Sequence, residues 1–527
     1  MKQKKIQYLI PILLGASMAI GIFIGFLMRS GMTNYSFFET PRTNTLQEII
    51  QLIADRYVDE KNMDSLAQKA IYPILDELDP HSDYLDPEKL EDTNDDIEGS
   101  FCGIGINYFI YKDSVFVTNV MKGSPAEKAG ILSGDRILSV NNKRYDFSKL
   151  KDSALRVLFK GPCESKIKLK LWRKTQKKEI NIDLVRGEIP DKSIAANYMI
   201  DVTTGYIKIN SFNIHTHAEF MQALLALKNK GMQQLILDLR DNGGGVLSEA
   251  TEIADEFLDG DKLITYTEGA HRKKKEIRCK RLGQFETGKL VVLSNRETAS
   301  ASEILMGALQ DWDRATIIGE RSFGKGLVQE LFDLNNGGAL KLTVARYYTP
   351  LGRSIQRSYQ NGLEAYYDEL NNRTAVETDS TNTPPTSFHT KSGKTLYEKN
   401  GISSDIKIKD SITQYEASII PLLENSVLSY YCNELNENQF SRLDTSVNNS
   451  IDFFKNFSID SRGWERLQQI AKTAGISITT FNEKEKLQIT RWVALSLISI
   501  LWEENKMIEA DNHDNPVIKT AVQQIKK

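Results

Sequence analysis

The sequence predicts a multidomain α+β protein: a mixed α/β core with an inserted small β-rich domain, helices before it and a helical region after it. Three observations predict this. The chain has 527 residues, too many for one core and suited to two to four domains. Residues 205–350 alternate buried-strand with helical patterns, as an α/β core does. Residues 98–187 instead read as short strands set off by turns, while both flanks carry apolar residues at helical spacing. Apolar residues at 40%, charged residues at 26% and a net charge of -3 describe an ordinary globular body. That balance offers nothing to a polyanion, so nucleic acid is not expected as a partner.

Residues 1–30 read as a signal anchor. Met1-Lys2-Gln3-Lys4-Lys5 is basic, and Leu9 to Met28 then runs for 20 residues without a charge. A helix of that length reaches about 30 Å, enough to cross a bilayer. Lysines retained on the cytoplasmic side would export everything after Arg29. The expectation is an inner-membrane anchor with the body on the periplasmic side. The alternative is a cleaved signal at the small residues of Ala16-Ser17-Met18-Ala19, leaving a soluble periplasmic form.

The N-terminal helical region, 44–97, rests on Leu46, Ile49, Ile50, Ile53 and Tyr57, then Leu66, Ala70, Ile71, Ile74 and Leu75. Leu78 to Pro87 follows as a proline-punctuated loop, in which His81 is assigned a structural role. The β-rich domain, 98–187, has strand patterns at Gly105–Ile110, Ser114–Val120, Arg136–Val140, Lys166–Trp172 and Glu179–Leu184. Within it Ser124 can cap a short helix with Pro125 at its first position, and Gly130 can close it. This Gly-Ser-Pro-Ala…Ala-Gly…Gly-Asp-x-Ile run resembles a PDZ domain. The resemblance implies that Gly103, Ile104, Gly105 and Ile106 grip a terminal carboxylate through backbone N–H groups, beside a strand edge that accepts the peptide. Glycines serving only a tight turn are the plainer reading.

The α/β core, 188–357, reads as follows: strand Gly205–Ile209, helix Ala218–Lys228, buried strand Leu235–Arg240, a glycine run, and a helix from Leu247 to Phe257. Strand Leu290–Leu293 and a helix from Ser300 to Trp312 come next, then strands Ala315–Gly319, Val328–Leu334 and Ala339–Tyr347. Residues 358–400 form an irregular insertion, and 401–410 return to the core through Asp405–Ile408. The C-terminal helical domain, 411–510, has helices at Leu422–Leu435, Trp464–Ala474 and Ile489–Ile508, leaving 511–527 as a tail. The apolar run Trp492–Trp502 is short of a membrane span, so it suits a buried bundle helix or a subunit interface. Surplus apolar helical surface at both ends suggests a homo-oligomer. Cys102, Cys163, Cys279 and Cys432 show no CxxC and no metal-ligand spacing, so no metal and no cofactor are expected. One or two disulfides, in any of three complete pairings, or isolated buried thiols fit equally.

The chemistry concentrates in Thr298-Ala299-Ser300-Ala301-Ser302-Glu303, with Lys325 placed 25 residues beyond Ser300 in Phe323-Gly324-Lys325-Gly326. The chain has six histidines, none beside a nucleophile in a G-x-S-x-G setting, so a Ser–Lys pair is the available route. A serine hydroxyl attacks only when a base takes its proton. A lysine with an ordinary pKa near 10.4 needs roughly 4–5 kcal/mol of environmental bias to be neutral at pH 7. Apolar Phe323, Leu327 and Val328 can supply it by desolvation. The Ala301 N–H at the helix start and the glycine run after Arg240 are the available oxyanion donors.

These motifs resemble the C-terminal processing peptidases, or tail-specific proteases, whose Ser–Lys pair cleaves proteins near their C-termini while a PDZ domain recognises the tail or gates the site. The resemblance covers about residues 44–356 and resumes at Gly401–Ile406. It implies Ser300 as nucleophile, Lys325 as general base, Gln329 as the residue orienting the lysine, and Gly244 with Ala301 as the oxyanion hole. Peptide or protein tails are the implied partners. Gly243 stands where the family commonly has proline. Two other readings remain: a PDZ peptide-binding or scaffold protein with a decayed core, and a hydrolase of small amides.

Overall fold

The computed structural model describes residues 44–150, 152–372, 386–398, 400–410, 415–440, 443, 445, 449–478 and 480–527. The chain divides into two units, residues 1–74 and 75–527. In the first, helix Asn44–Arg56 precedes helix Met63–Asp76, which runs on across the boundary. Leu46, Ile49 and Leu52 stay exposed on the former.

The expected membrane anchor is corrected here. Among the described residues no helix is long and apolar enough to cross a membrane. The 1–30 segment to which the anchor was assigned lies outside them. The inner membrane is therefore withdrawn as a partner, together with the anchored location that depended on it.

The second unit is built on a six-stranded sheet in the order Ile406–Lys407, Thr316–Gly319, Leu290–Ser294, Gln234–Asp238, Thr204–Ile209, Ile194–Met199. All pairings are parallel except the last, which is antiparallel. Strand residues alternate between two covered faces, because successive side chains point to opposite sides. Ile207, Leu235, Leu237, Val292 and Ile317 meet Phe220, Leu224, Ile253 and Leu305 from helices Thr216–Asn229, Leu247–Asp255 and Ala301–Asp311. Tyr206, Ile236, Val291, Leu293 and Ile318 face Ile508, Val517, Ile518, Ala521 and Ile525. These last residues belong to helices Glu504–Asn512 and Pro516–Lys526, so the expected C-terminal tail supplies half of one covering layer.

A second, antiparallel sheet holds Asp83–Leu85, Ala339–Tyr348, Leu263–Gly269 and Arg272–Arg278, with Leu327–Asp333 also on Ala339–Tyr348. The Leu263–Arg278 hairpin is absent from the sequence reading. Its outer strand is exposed, basic and on a sheet edge, where charge discourages unwanted pairing.

The β-rich insertion forms the expected PDZ-like body. Its five antiparallel strands enclose a core including Val115, Val117, Ile137, Leu155, Ile167 and Leu169. Helix Asp152–Phe159, which the sequence reading did not contain, closes one side. The two ends of the insertion pair with each other, Ser100–Gly103 against Gly187–Pro190. A Cys102–Cys163 disulfide joins the entry strand to the segment after that helix, while Cys279 and Cys432 are buried free thiols. Phe109 and Tyr111 leave the PDZ-like sheet to pack into the C-terminal helical core, where Tyr111 stacks on Tyr430 at 4.1 Å. The helix expected over Ile489–Ile508 breaks into Glu483–Trp502 and Glu504–Asn512 at Glu503, whose φ is 83°. Val493, Ala494, Leu497 and Ile498 of the apolar run are buried. Helix Gly362–Asn372 and a hairpin, Ser387–His389 with Thr395–Tyr397, bring regular structure to the expected irregular insertion.

Candidate active site

Ser300 stands between the buried strand Leu290–Ser294 and the helix Ala301–Asp311, every residue of which is buried. Its backbone lies at φ 57°, ψ -116°, a conformation costly for a residue with a Cβ and common where a fold holds a functional side chain under strain. Neighbouring bonds hold it there. The Thr298 hydroxyl donates to the Leu239 carbonyl at 2.9 Å, and the Ala299 N–H and Ser302 hydroxyl donate to the Asn242 carbonyl at 2.9 and 3.1 Å. The serine turn is thus fastened to the loop that follows strand Gln234–Asp238.

That loop brings Gly244 against the serine. Its φ is 100°, and a Cβ there would lie 2.8 Å from the Ala299 carbonyl oxygen and from Ser300 Cβ, and 2.9 Å from the Ala301 nitrogen. Both the dihedral and the contact demand glycine. The Gly244 N–H, however, donates to Asn242 Oδ1 at 2.9 Å, and Asn242 is itself oriented by donating from Nδ2 to the Ile209 carbonyl at 2.9 Å. The Ala301 N–H, first in its helix, has no acceptor within the helix. The two expected oxyanion donors therefore adjoin, but one of them is engaged.

Glu303 joins serine and lysine. This wholly buried carboxylate accepts the Ser300 and Lys325 N–H groups on Oε2, each at 2.8 Å. Its Oε1 accepts the Gly324 N–H at 2.8 Å and the Ser322 hydroxyl at 2.5 Å. Its pKa is raised above the usual carboxyl value, because burial outweighs the bonds from Ser322 and from the Lys325, Gly324 and Ser300 N–H groups that pull it down. The buried Tyr347 hydroxyl reaches the Ser300 carbonyl at 3.1 Å and also contacts the Lys325 carbonyl.

The lysine loop is tightly enclosed. Gly324, at φ 91°, would carry a Cβ 3.0 Å from the Gly401 nitrogen and 3.1 Å from Arg357 Cγ. The Arg357 guanidinium lies over the rings of Phe323 at 4.3 Å and Tyr366 at 3.9 Å. Such enclosure lowers the Lys325 pKa from 10.5 to about 8; burial is the main cause, the Lys341 charge adds to it, and Glu303 and Asp79 oppose it. His81, from the loop after the first helices, bonds through Nε2 to the Tyr366 hydroxyl at 3.1 Å. Burial first, then the Lys325 charge, lower its pKa to about 3, so it is neutral.

Among the described residues no hydrogen bond joins Ser300 to Lys325 through their side chains. Gln329, on strand Leu327–Asp333, donates from Nε2 to Thr343 Oγ1 at 3.1 Å. Gly103, Ile104, Gly105 and Ile106 lie together in the PDZ-like domain, all four buried. The Ala126 and Met121 N–H groups donate to the Ile104 and Gly105 carbonyls at 2.9 and 3.0 Å. Lys160, bridged to Gly103 across the strands, is paired with Asp92 and Asp95 at 3.1 and 3.0 Å. Sequence reasoning missed Glu303, Tyr347, Thr343, Asp79 and Asn242. Glu303 alone carried a signal, a carboxylate three residues after a helix-starting serine. Among the described residues no His/Cys/Asp/Glu group is arranged to hold a metal ion.

A model of Peptidase family S41 matches residues 203–365, and a PDZ domain model matches residues 116–173. A carboxy-terminal-processing protease of Bartonella bacilliformis is 36% identical over 316 residues, 59% of this chain and 71% of that one. A protein named "Probable CtpA-like serine protease" from Staphylococcus aureus is 33% identical over 314 residues, 59% of this chain but only 62% of its own length. Among solved structures, the photosystem II D1 C-terminal processing protease shares 26% identity, covering 69% of this chain and 92% of that one at a TM-score of 0.36. On the sequence relatives, the chain belongs to the carboxy-terminal-processing protease family, serine peptidases of family S41, and carries the associated PDZ domain.

Proposed function

We propose that this chain is an endopeptidase that cleaves proteins at or near their C-termini through an acyl-enzyme on Ser300, with tail recognition or gating by the PDZ domain. The observation that supports it most is the Lys325 amine, enclosed on a loop tied through Glu303 to the Ser300 backbone and titrating near 8. Neutral Lys325 takes the hydroxyl proton as Ser300 Oγ bonds to the scissile carbonyl carbon. The oxygen of the tetrahedral intermediate is stabilised by the Ala301 N–H and by the Gly244 N–H once the latter turns from Asn242. Lys325 then returns the proton to the departing amine, and the C–N bond breaks. Water attacks the ester with the same lysine as base, releasing the new carboxyl end and restoring Ser300. Gln329 orients the lysine. The neutral His81 takes no part as a base.

A second reading is a PDZ peptide-binding protein with a silent core. It draws on the Gln329 amide bonded to Thr343 and the Gly244 N–H bonded to Asn242. Replacing Ser300 or Lys325 by alanine separates the two readings. The peptidase reading expects loss of cleavage of an unfolded, free-carboxylate substrate, with the thermal unfolding midpoint retained. Equal turnover by wild type and both variants would remove the Ser–Lys mechanism. Tail binding by a wild type that cuts nothing would establish the second reading.

A further inference from the structure

We propose that Thr343 and Asp79 are positioning residues that fix which end of the Gln329 amide is presented to Lys325. The proposal rests on the Ser–Lys reading above. The chain of bonds runs from Gln329 Nε2 to Thr343 Oγ1 at 3.1 Å, and from Thr343 Oγ1 to Asp79 Oδ1 at 3.1 Å. Asp79 is buried and accepts two further backbone donors on that oxygen, the His81 and Ser82 N–H groups, at 2.8 and 3.0 Å. Its other oxygen accepts the Ser82 hydroxyl at 2.7 Å. Ser82 Oγ in turn accepts the Thr343 N–H at 3.1 Å, so its single proton is directed to Asp79.

The polarity follows from the donor inventory. A carboxylate only accepts, so the Thr343 proton is committed to Asp79 and its oxygen must accept from Gln329. Only the NH₂ end of the amide can serve there. A flipped amide would bring Oε1 and Oγ1 to 3.1 Å with no proton between them. Oε1 is thereby the free end; among the described residues it is not hydrogen-bonded to Lys325, and in the proposed mechanism it accepts an Nζ–H and leaves the amine's lone pair for the Ser300 proton.

Strand geometry makes the pairing possible. Strand Leu327–Asp333 pairs with Ala339–Tyr348 through a bulge: Val328 faces Ala345, and Gln329 then faces Thr343, with Val344 skipped. A bulge re-aims the side chains beside it. Without the bulge, the regular register would set Gln329 opposite the apolar Val344. Lysine 325 therefore has two kinds of control from this corner, an oriented acceptor and a nearby negative charge. The charged and titratable groups acting around it are Lys341, Glu303 and Asp79, with neutral His81 beside the loop.

The test compares Thr343→Val, Thr343→Ser and Asp79→Asn with wild type, using kcat and KM on a free-carboxylate peptide from pH 6 to 9.5. Thr343→Val keeps the shape and removes the relay. It should lower kcat about 10- to 100-fold, the scale of a misaligned proton-transfer partner, with KM unchanged. Thr343→Ser should recover most of the loss. Asp79→Asn should lower kcat and also move the acid limb of the profile to lower pH, because the Asp79 charge raises the Lys325 pKa. A merely structural role would move the unfolding midpoint without moving that limb. Wild-type kcat in Thr343→Val, equal loss in the valine and serine variants, or an unmoved limb in Asp79→Asn would each overturn the relay. Ser300→Ala run alongside keeps the two ideas apart. Cleavage that survives it defeats the Ser–Lys reading; cleavage that it abolishes, beside an unaffected Thr343→Val, defeats the relay alone.

Discussion

Activity should follow the titration of Lys325, and Lys341 is the residue through which to move it. Lys325 falls from 10.5 to about 8, mainly because it is enclosed and secondly because Lys341 carries a like charge. At pH 7 a lysine titrating near 8 is about one-tenth neutral, whereas one at 10.5 is neutral in about one molecule in 3,000. The shift as a whole is therefore worth roughly 300-fold in competent base at pH 7, or about 3 kcal/mol. The sign is set by which form works. In the proposed mechanism the neutral amine is the base, so kcat/KM should rise about tenfold per pH unit below the bend and level off above pH 8. Lys341→Met keeps the stem and removes the charge that disfavours the ammonium. The bend should move to higher pH and activity at pH 7 should fall, while the plateau above the bend is unchanged. The assay is kcat/KM on an internally quenched peptide with a free carboxylate, at constant ionic strength, from pH 6 to 10. A bend near 6.5 would identify a histidine-like group. A flat profile, or a bend that moves down in Lys341→Met, would refute the assignment of the base to an enclosed Lys325.

Two other perturbations follow. Gly244→Ala places a methyl 2.8 Å from Ser300 Cβ and forces φ 100° on an L residue, so kcat should fall by about 10²–10³, the value of an oxyanion donor, with cleavage-site preference unaltered; wild-type kcat would show that the glycine loop serves packing alone. Removing the Cys102–Cys163 bridge by double serine substitution frees a 61-residue separation, which should cost up to about 4 kcal/mol of PDZ-domain stability and weaken binding of a free-carboxylate peptide, since Cys102 adjoins Gly103. Calorimetry on the full chain reads both, and an unchanged midpoint and affinity would show the bridge to be incidental.

Much of this architecture was legible because one-dimensional pattern and three-dimensional role coincide. Leu235–Leu237 and Leu290–Leu293 are continuous apolar runs because helices cover the sheet on both faces. Ser300 and Lys325 stood out through small or glycine neighbours, and those neighbours are where close approach occurs. Other elements were hidden for identifiable reasons. The outer strand Arg272–Arg278 is exposed, so its sequence records edge protection rather than burial. Helix Pro516–Lys526 reads as a tail until Val517, Ile518, Ala521 and Ile525 are placed against the distant sheet residues Tyr206, Ile236, Val291, Leu293 and Ile318. The break at Glu503 has neither glycine nor proline to announce it. Thr343 and Asp79 are separated by 264 residues, and their partnership with Gln329 depends on a bulge that no local pattern encodes.

Glu303 shows why a buried acid beside the lysine does not disable it. An ionised carboxylate next to an amine ordinarily holds the ammonium form and would return Lys325 towards its solution pKa. Here all four bonds to the carboxylate come from groups other than the amine: three backbone N–H groups and the Ser322 hydroxyl. Lys325 meets Glu303 through its peptide nitrogen, not its Nζ. The carboxyl oxygens are thus saturated by the peptide dipoles of the two segments that must stay in register, and burial still outweighs the pull of Glu303 on the amine. Glu303→Gln would keep the size but turn one acceptor oxygen into a donor facing backbone N–H groups, so at least one of these bonds becomes a repulsion. Its effect on the relative placement of Ser300 and Lys325 adds to an effect on the amine's charge that it shares with Lys341 and Asp79. The site therefore joins alignment by a saturated acid at the main chain to a proton affinity set mainly by enclosure, and the same lysine can sit beside a carboxylate with its pKa still lowered, as the proposed base requires.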